Sequence, residues 1–336
     1  MKALRLDGIN QPLTLQEVPT PIPGSGEVLV QIHAAALNHR DVWIQKGQYA
    51  GLHFPCILGS DGAGVVASVG EGADAALLGQ AVLINPGQNW GGNPRAQAKD
   101  FTILGLPEQG TFAQYVRVPA RHVRPLPAHL SFEQAAVLPL GGVTAYRAIF
   151  TRAGLQAGER VLITGIGGGV ALLGLQMAVA RGAEVWVTSG SAAKLESAQK
   201  LGARGGVNYK DDNWSDNLLS EVGAPFDVVV DSAAGPGFNS LLDVAAPGGR
   251  IVFYGATQGN IPELTARKIF WKQLSVLGST MGTEQDFADM AQLIEEKQIV
   301  PVIDEVFPFA EGEAAMRRMA NGEQFGKLVL RITEEE

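Results

Sequence analysis

Cysteine is almost absent from this chain, since Cys56 is the one example among 336 residues. A single thiol excludes an internal disulfide and any cysteine-rich zinc site. No apolar run reaches the roughly 18 residues that a membrane span requires, and the N-terminal segment lacks the apolar core of a signal peptide. A net charge of −8 argues against nonspecific binding to nucleic acid or to anionic membranes. We therefore expect a cytoplasmic protein that binds neither.

The length and the order of patterns predict two domains, because 336 residues exceed the usual size of one hydrophobic core. Short alternating segments broken by glycine and proline predict an irregular antiparallel, barrel-like domain at the N-terminal end. From about residue 130 onward, helical and strand patterns alternate, which predicts an α/β fold with a doubly wound parallel sheet of six strands. The last helix and strand are expected to return to the first domain. The predicted division is residues 1–128 with 283–336, and residues 129–282.

A glycine-rich turn follows the first predicted strand of the second domain. Val161–Ile163 is a short apolar run suited to a buried parallel strand. The glycines after it allow a tight turn and a close approach to a ligand, and the next helix directs its free N–H groups into that turn. This order predicts a dinucleotide site that includes Gly165, Gly167, Gly168, Gly169 and Val170.

The end of the second strand lacks the acidic residue that binds the ribose hydroxyl of NAD. Ser189, Ser191 and Lys194 stand there instead, and Tyr209 follows the third strand. Hydroxyl groups and a lysine suit the 2′-phosphate of NADP(H). The alternative interpretations are that Ser191 caps a helix, that Lys194 is solvated and that Tyr209 only packs.

Five segments in a fixed order resemble the medium-chain dehydrogenase/reductase superfamily over nearly the whole chain. They are the glycine turn above and residues 59–66 (GSDGAGVV), 110–116 (GTFAQYV) and 140–146 (LGGVTAY), with GKLVL at 326–330 near the end. The resemblance implies a GroES-like catalytic domain joined to a Rossmann domain.

The chain departs from the zinc alcohol dehydrogenases of that superfamily at the metal positions. By resemblance, Asn38 replaces the first cysteine, Ser60 the histidine, Asp61 the glutamate and Leu140 the last cysteine. The loop at 85–110 lies where those relatives hold a structural zinc, and it contains no cysteine. Catalytic zinc needs three protein ligands, so we predict that no metal is bound.

The metal-free branch that the chain resembles contains quinone oxidoreductases and enal or enone reductases, including zeta-crystallin-like proteins. The resemblance implies hydride transfer from NADPH to a quinone or an α,β-unsaturated carbonyl. It also implies that Asn38 and Tyr49 are the polar groups on the substrate side. The alternatives are that Asn38 satisfies loop backbone and that Tyr49 packs without chemistry.

Further cofactor contacts are implied near the ends of the later strands and the start of an interdomain helix. They are Thr144, Gly255, Ser279, Met281 and Lys327. A surface position without cofactor contact is the alternative for Lys327.

Two other functions and one assembly remain open from the sequence. The functions are alcohol or aldehyde oxidoreduction, and NADPH binding with little turnover, as in crystallins. Relatives commonly dimerise through the sixth Rossmann strand, and the apolar segment Gln273–Gly278 suits such pairing. We therefore expect a homodimer.

Overall fold

A computed structural model describes residues 1–333 of the chain. These residues form two compact units. Unit 1 comprises residues 1–143 and the segment from residue 282 onward, and unit 2 comprises Thr144–Met281. Residues 129–143, which the sequence analysis assigned to the dinucleotide-binding domain, group with unit 1 because helix Phe132–Ala136 packs on strands of that unit.

The chain through Tyr146 is rich in strands. Ser131 and Gln134 form a capping box at the start of its second helix. The elements are β1 (Lys2–Leu6), β2 (Thr14–Glu17), β3 (Glu27–Ala36), α1 (His39–Gln45), β4 (Cys56–Ile57), β5 (Asp61–Val69), β6 (Ala81–Ile84), β7 (Gly87–Gln88), β8 (Thr102–Ile103), β9 (Tyr115–Pro119), β10 (Val123–Pro125), α2 (Phe132–Ala136) and α3 (Pro139–Tyr146).

Strands and helices alternate in the middle of the chain. A π-helical segment, Arg147–Arg152, precedes them. The elements are β11 (Arg160–Ile163), α4 (Gly169–Ala180), β12 (Glu184–Ser189), α5 (Ala192–Lys200), β13 (Gly205–Asn208), α6 (Trp214–Val222), β14 (Phe226–Asp231), α7 (Phe238–Val244), β15 (Ala245–Phe253), α8 (Ala266–Lys272) and β16 (Ser275–Gly278).

The final segment adds two helices and two strands. They are α9 (Glu284–Glu296), β17 (Ile303–Pro308), α10 (Gly312–Asn321) and β18 (Lys327–Arg331). None of the helices in residues 1–333 is long and apolar enough to cross a membrane.

The main sheet of unit 1 has the strand order β10-β6-β5-β3-β18-β17, and β9 pairs with the first half of β3. Its pairs are antiparallel except β17 with β18, which run parallel because α10 joins them as a crossover. A smaller sheet joins β2, β1 and β4. The side chains between these sheets form one apolar core, with Phe112 and Leu58 at 0% exposure.

Unit 2 is a parallel sheet of six strands in the order β13-β12-β11-β14-β15-β16. The order reverses direction at β11 and β14, as in a doubly wound sheet, and this confirms the predicted Rossmann fold. The strands are apolar runs because helices cover both faces; Val161 and Leu162 of β11 are at 0% exposure. Ligands bind such sheets at the carboxyl ends of the central strands, where the glycine turn lies.

Candidate functional site

The predicted phosphate-binding turn lies between β11 and α4. Gly165 and Gly167 have φ angles of 64° and 132°, which side chains with a Cβ rarely adopt. Helix α4 begins at Gly169 with Gly168 as its N-cap, and no side chain of the described residues caps it. The first N–H groups of α4, including that of Val170, are therefore available to an anion.

Three polar side chains lie against glycines of the loops that follow β11 and β12. Lys194 crosses Gly167, where an added Cβ would lie 2.9 Å from Lys194 Cδ. Tyr209 and Lys210 lie over Gly190, where a Cβ would be 3.1 Å from Tyr209 Oη and 2.6 Å from Lys210 Cε. Two cations and a phenol thus border the two loops where the sequence predicts the phosphates of the cofactor. Lys210 was not singled out from the sequence, although it directly follows Tyr209.

The two predicted serines shape the loop between β12 and α5. Ser189 is buried, and its Oγ accepts a hydrogen bond from the backbone N–H of Ser191 at 3.2 Å. Ser191 is the N-cap of α5, but its side chain makes no capping hydrogen bond. Its hydroxyl is therefore not used by the helix end, and its contact with the cofactor stays a prediction.

The remaining predicted cofactor residues of unit 2 lie around the ends of β15 and β16. Thr144 Oγ1 contacts Met281 Sδ at 3.8 Å, and Met281 has a φ of 43°. Ser279 Oγ is buried without a hydrogen-bond partner among residues 1–333. A Cβ at Gly255 would lie 2.8 Å from the backbone oxygen of Ser232. The segments that contain Gly255 and Ser232 therefore lie so close together that only glycine fits at position 255. An unpartnered buried hydroxyl is suited to a ligand contact.

A second set of polar residues lies in unit 1, at one edge of the main sheet. Strand pairing brings it together, because β3 lies between β18 and β5: Ala36 pairs with Val329 on one side and with Asp61 on the other. Asn38 follows the end of β3, and Lys327 begins β18. Three side chains that are far apart in the sequence therefore meet at neighbouring strand ends.

Asn38, Asp61 and Lys327 form a closed, buried triangle of hydrogen bonds, which we call the 38–61–327 cluster. Lys327 Nζ donates to Asn38 Oδ1 at 2.7 Å and to Asp61 Oδ2 at 2.8 Å. Asn38 Nδ2 donates to the same Asp61 Oδ2 at 2.9 Å. The backbone N–H of Leu140 binds the other carboxylate oxygen at 2.7 Å. Asp61, at 0% exposure, thereby orients both Asn38 and Lys327.

Arg40 extends this polar region towards Tyr49. Its Nη1 donates to Ser60 Oγ at 2.6 Å and to Leu104 O at 2.8 Å. Its guanidinium carbon lies 5.1 Å from the centre of the Tyr49 ring, and its Nε is 3.4 Å from the Tyr49 hydroxyl. Arg40 therefore fixes the position of Tyr49 relative to the buried strand ends. Arg40 was not singled out from the sequence.

Asp41 contributes a buried carboxyl whose charge is only partly compensated. Its Oδ2 accepts the backbone N–H of Asn38 at 2.8 Å, but its Oδ1 has no partner among the described residues. Burial raises the pKa of Asp41 to about 6, against the opposing attraction of Arg40 and the Asn38 hydrogen bond. Burial and the charge of Lys327 lower the pKa of His39. This end of α1 therefore holds a carboxyl with a raised pKa and a histidine with a lowered pKa.

Comparison with known proteins identifies the family. Residues 24–128 match a family model described as an alcohol dehydrogenase GroES-like domain, and residues 169–296 match one described as a zinc-binding dehydrogenase. A zinc-type alcohol dehydrogenase-like protein YogA of Leptosphaeria maculans is 38% identical over 96% of this chain and 95% of its own length. The chain belongs to the medium-chain dehydrogenase/reductase superfamily.

Other relatives place the chain in the quinone oxidoreductase-like branch of that superfamily. A quinone oxidoreductase of Mus musculus is 31% identical over 98% of this chain and 97% of its own length. A solved structure of an NAD-dependent alcohol dehydrogenase superposes with a TM-score of 0.93 at 36% identity, covering 99% of this chain and all of that one. The resemblance seen in the sequence is confirmed, and the chain is an oxidoreductase.

The zinc that one of these family descriptions implies does not fit the side chains present. Within residues 1–333, no group of three His, Cys, Asp or Glu side chains converges as a metal site. Two of the four positions that the resemblance assigns to the zinc site are Leu140 and Ser60. Leu140 has no side-chain atom that could bind a metal, and the Ser60 hydroxyl accepts a hydrogen bond from Arg40. Asn38 and Asp61 direct their oxygens at the Lys327 ammonium. A fixed cation thus already binds the acceptors that a metal ion would need.

The sequence predicted part of this constellation. It predicted Asn38, which the structure places against Asp61 and Lys327, and Tyr49, which it places against Arg40. It placed Lys327 at the cofactor, whereas the structure shows its ammonium bound to Asn38 and Asp61; the cofactor contact stays a prediction. One feature of the sequence could have pointed to Arg40 as a site residue, namely its position two residues after the predicted site residue Asn38.

Proposed function

We propose that this chain is an NADPH-dependent, zinc-independent reductase of quinones or α,β-unsaturated carbonyl compounds. The observation that carries the proposal is the 38–61–327 cluster at the positions where zinc-dependent relatives bind their metal. Without a Lewis acid there, an alcohol is not readily activated as an alkoxide. An electrophilic double bond needs no such activation, only a hydride donor and a group that stabilises negative charge on oxygen.

The side chains around the glycine turn support NADP(H) as the cofactor. The N–H groups at the start of α4 suit the pyrophosphate, and Lys194, Tyr209 and Lys210 suit a 2′-phosphate. The loop after β12 carries serines and no carboxylate. A carboxylate there would repel that phosphate. When bound, NADPH supplies the hydride.

Asn38 and Tyr49 are the proposed polar groups on the substrate side. Asn38 is buried, with 7% of its surface exposed, and one N–H of its amide is not used within the cluster. Tyr49 is half-buried, and its hydroxyl lies beside the guanidinium of Arg40. A phenol next to a cation can donate a hydrogen bond or a proton to a developing oxyanion.

The proposal is tested by the oxidation of NADPH with 1,2-naphthoquinone and with a simple enone. We expect turnover with at least one of them, unchanged by a chelator, and a much lower KM for NADPH than for NADH. Activity that is abolished by the chelator and restored by zinc would overturn it, as would a preference for NADH. Tight NADPH binding without turnover on either substrate would favour the crystallin-like alternative.

We also propose that the chain forms a homodimer through β16. This strand ends the sheet order of unit 2, so one of its edges has no strand partner within residues 1–333. Trp271 and Phe270 on the preceding helix are 77% and 66% exposed, which is uncommon for large apolar side chains on a free surface. Light scattering at micromolar concentration should give twice the mass of the chain, and a monomeric mass would refute the pairing.

A further inference from the structure

The 38–61–327 cluster holds more hydrogen-bond donors than its internal contacts use. A lysine ammonium has three N–H donors, and two of them point to Asn38 Oδ1 and Asp61 Oδ2. The amide nitrogen of Asn38 has two donors, and Asp61 takes one. Among the described residues, each of these nitrogens therefore keeps one donor for another acceptor.

The orientation of the Asn38 amide follows from its neighbours and not from a choice between two similar atoms. An ammonium group only donates, so the amide atom 2.7 Å from Lys327 Nζ must be the oxygen. The amide nitrogen then faces Asp61, whose carboxylate only accepts when ionised. The free N–H of Asn38 and the free N–H of Lys327 consequently belong to two atoms that touch the same carboxylate oxygen.

Stability alone does not explain this arrangement. Removing an ammonium and a carboxylate from water is costly, and a buried ion pair is often no more stable than apolar residues of the same volume. Here the pair lies at 4% and 0% exposure, with every acceptor of the Asp61 carboxylate satisfied. Such an arrangement holds two neighbouring donors rigidly in a low-dielectric environment, which is the requirement for stabilising an oxyanion.

We propose that Lys327 and Asn38 form an oxyanion-binding pair that takes the place of the metal ion in this chain. The ligand class is the oxygen of a conjugated carbonyl or quinone, which binds the free N–H of each residue. Asp61 is a positioning residue that orients both donors without touching the substrate. This inference rests on the proposed reductase function and specifies which groups carry its electrostatic part.

The chemistry balances with NADPH as the reductant. Addition of a hydride to the β-carbon breaks the carbon–carbon π bond, and its electron pair moves towards the carbonyl group, whose oxygen becomes an enolate oxygen. The donors of Lys327 and Asn38 stabilise that negative charge. A proton from water or from Tyr49 then adds to the α-carbon, so the substrate gains two electrons and two hydrogens. With a quinone, the same charge develops on a hydroquinone oxygen.

A binding experiment tests the pair without turnover. 4-Nitrophenol changes colour on ionisation, and a site with two donors favours its phenolate. We expect the wild-type protein to shift the ionisation of the bound phenol by about tenfold or more, which corresponds to one pKa unit. The double variant Lys327→Met/Asp61→Asn removes the ammonium without leaving a buried charge, and it should lose the shift. Lys46→Met, which removes an exposed lysine at the end of α1, is the matched control.

Kinetics with the same variants separate the possible roles of Lys327. Loss of one oxyanion donor typically lowers kcat by about 100- to 1000-fold. We expect that loss in Lys327→Met/Asp61→Asn, with the Kd for NADPH and the circular dichroism spectrum unchanged. The charge-conserving Lys327→Arg should retain more activity than the double variant. In Lys327→Ala, which keeps the Asp61 carboxylate, added ethylammonium should restore part of kcat, and tetramethylammonium, which has no N–H donor, should not.

Three results would overturn the inference. They are an unshifted phenol ionisation in the wild-type protein, an unchanged kcat in a folded double variant, and one tightly bound zinc per chain after dialysis against zinc. A raised Kd for NADPH with unchanged kcat would assign Lys327 to the cofactor instead. Because the phenol experiment needs no hydride transfer, it keeps its meaning if no quinone or enone is turned over, and that failure would count against the proposed function alone.

Discussion

Replacing Asp41 by asparagine should change the free energy of unfolding by an amount that depends on pH. Relative to wild type, the variant should be more stable at neutral pH than it is at acidic pH. Asp41 is at 0% exposure, its Oδ1 has no partner among residues 1–333, and its pKa is raised from 3.8 to about 6. Because the folded protein holds this proton more tightly than the unfolded chain, stability falls as pH rises from about 4 to about 6. The penalty is complete above that window and absent below it.

The size of the effect follows from the shift. A difference of about 2.2 pKa units between the folded and unfolded states corresponds to about 3 kcal/mol of destabilisation when the carboxyl is ionised. At about pH 4.5 about 1 kcal/mol of that penalty remains, so the change between about pH 7.5 and about pH 4.5 is about 2 kcal/mol. The buried amide of the variant has its own cost, but this cost does not depend on pH and cancels in the comparison.

Urea unfolding of both proteins at the two pH values measures this difference directly. The asparagine variant retains an oxygen that accepts the Asn38 N–H, so the start of α1 should remain intact. Asp212→Asn removes a carboxylate from an exposed loop and serves as the control for loss of one charge. A stability difference between Asp41→Asn and wild type that is the same at both pH values would refute the reasoning, because it would mean that the carboxyl is neutral or well solvated.

Three further outcomes are expected from the geometry. Gly167→Ala should weaken NADPH binding about tenfold or more in calorimetry, because φ is 132° and the new Cβ meets Lys194, whereas Gly154→Ala has open space and should not. Lys210→Met should raise the Kd for NADPH about tenfold and leave that for NADH unchanged, since a charge-assisted contact contributes about 1.5 kcal/mol; the exposed Lys200→Met is its control, and equal effects on both cofactors would contradict a 2′-phosphate contact. Ser131→Ala removes a capping hydrogen bond and should lower the free energy of unfolding in urea by about 1 kcal/mol; no change would mean that the cap is dispensable.

The fold was predictable because its signals are local. A strand, a glycine turn and an apolar helix follow one another within residues 160–181, and each pattern depends on side chains only a few positions apart. The six predicted strands of unit 2 are present for the same reason. The departures from zinc ligation were equally readable, since a leucine or an asparagine lacks the donors of cysteine wherever it lies.

The candidate site was only partly predictable, because its contacts depend on strand pairing. Lys327 meets Asn38 across 289 positions and Asp61 across 266. No periodicity in the sequence states that β18 lies beside β3, or that β3 lies beside β5 with Ala36 opposite Asp61. The sequence therefore left open where the Lys327 side chain lies, and only the sheet order shows that its ammonium contacts Asn38 and Asp61.

The sequence by itself determined the two-domain fold, the glycine-rich turn after β11 and the lack of cysteine at the positions that the resemblance assigns to zinc, since residue type and short spacing decide these. The tertiary structure decided what stands in place of the ligands. It showed that a lysine from the end of the chain places its ammonium between Asn38 and Asp61, and that Asp41 is buried with one oxygen unpartnered. The physical reason is that burial and charge pairing depend on every element packed around a group, and sequence neighbours report only a few of them.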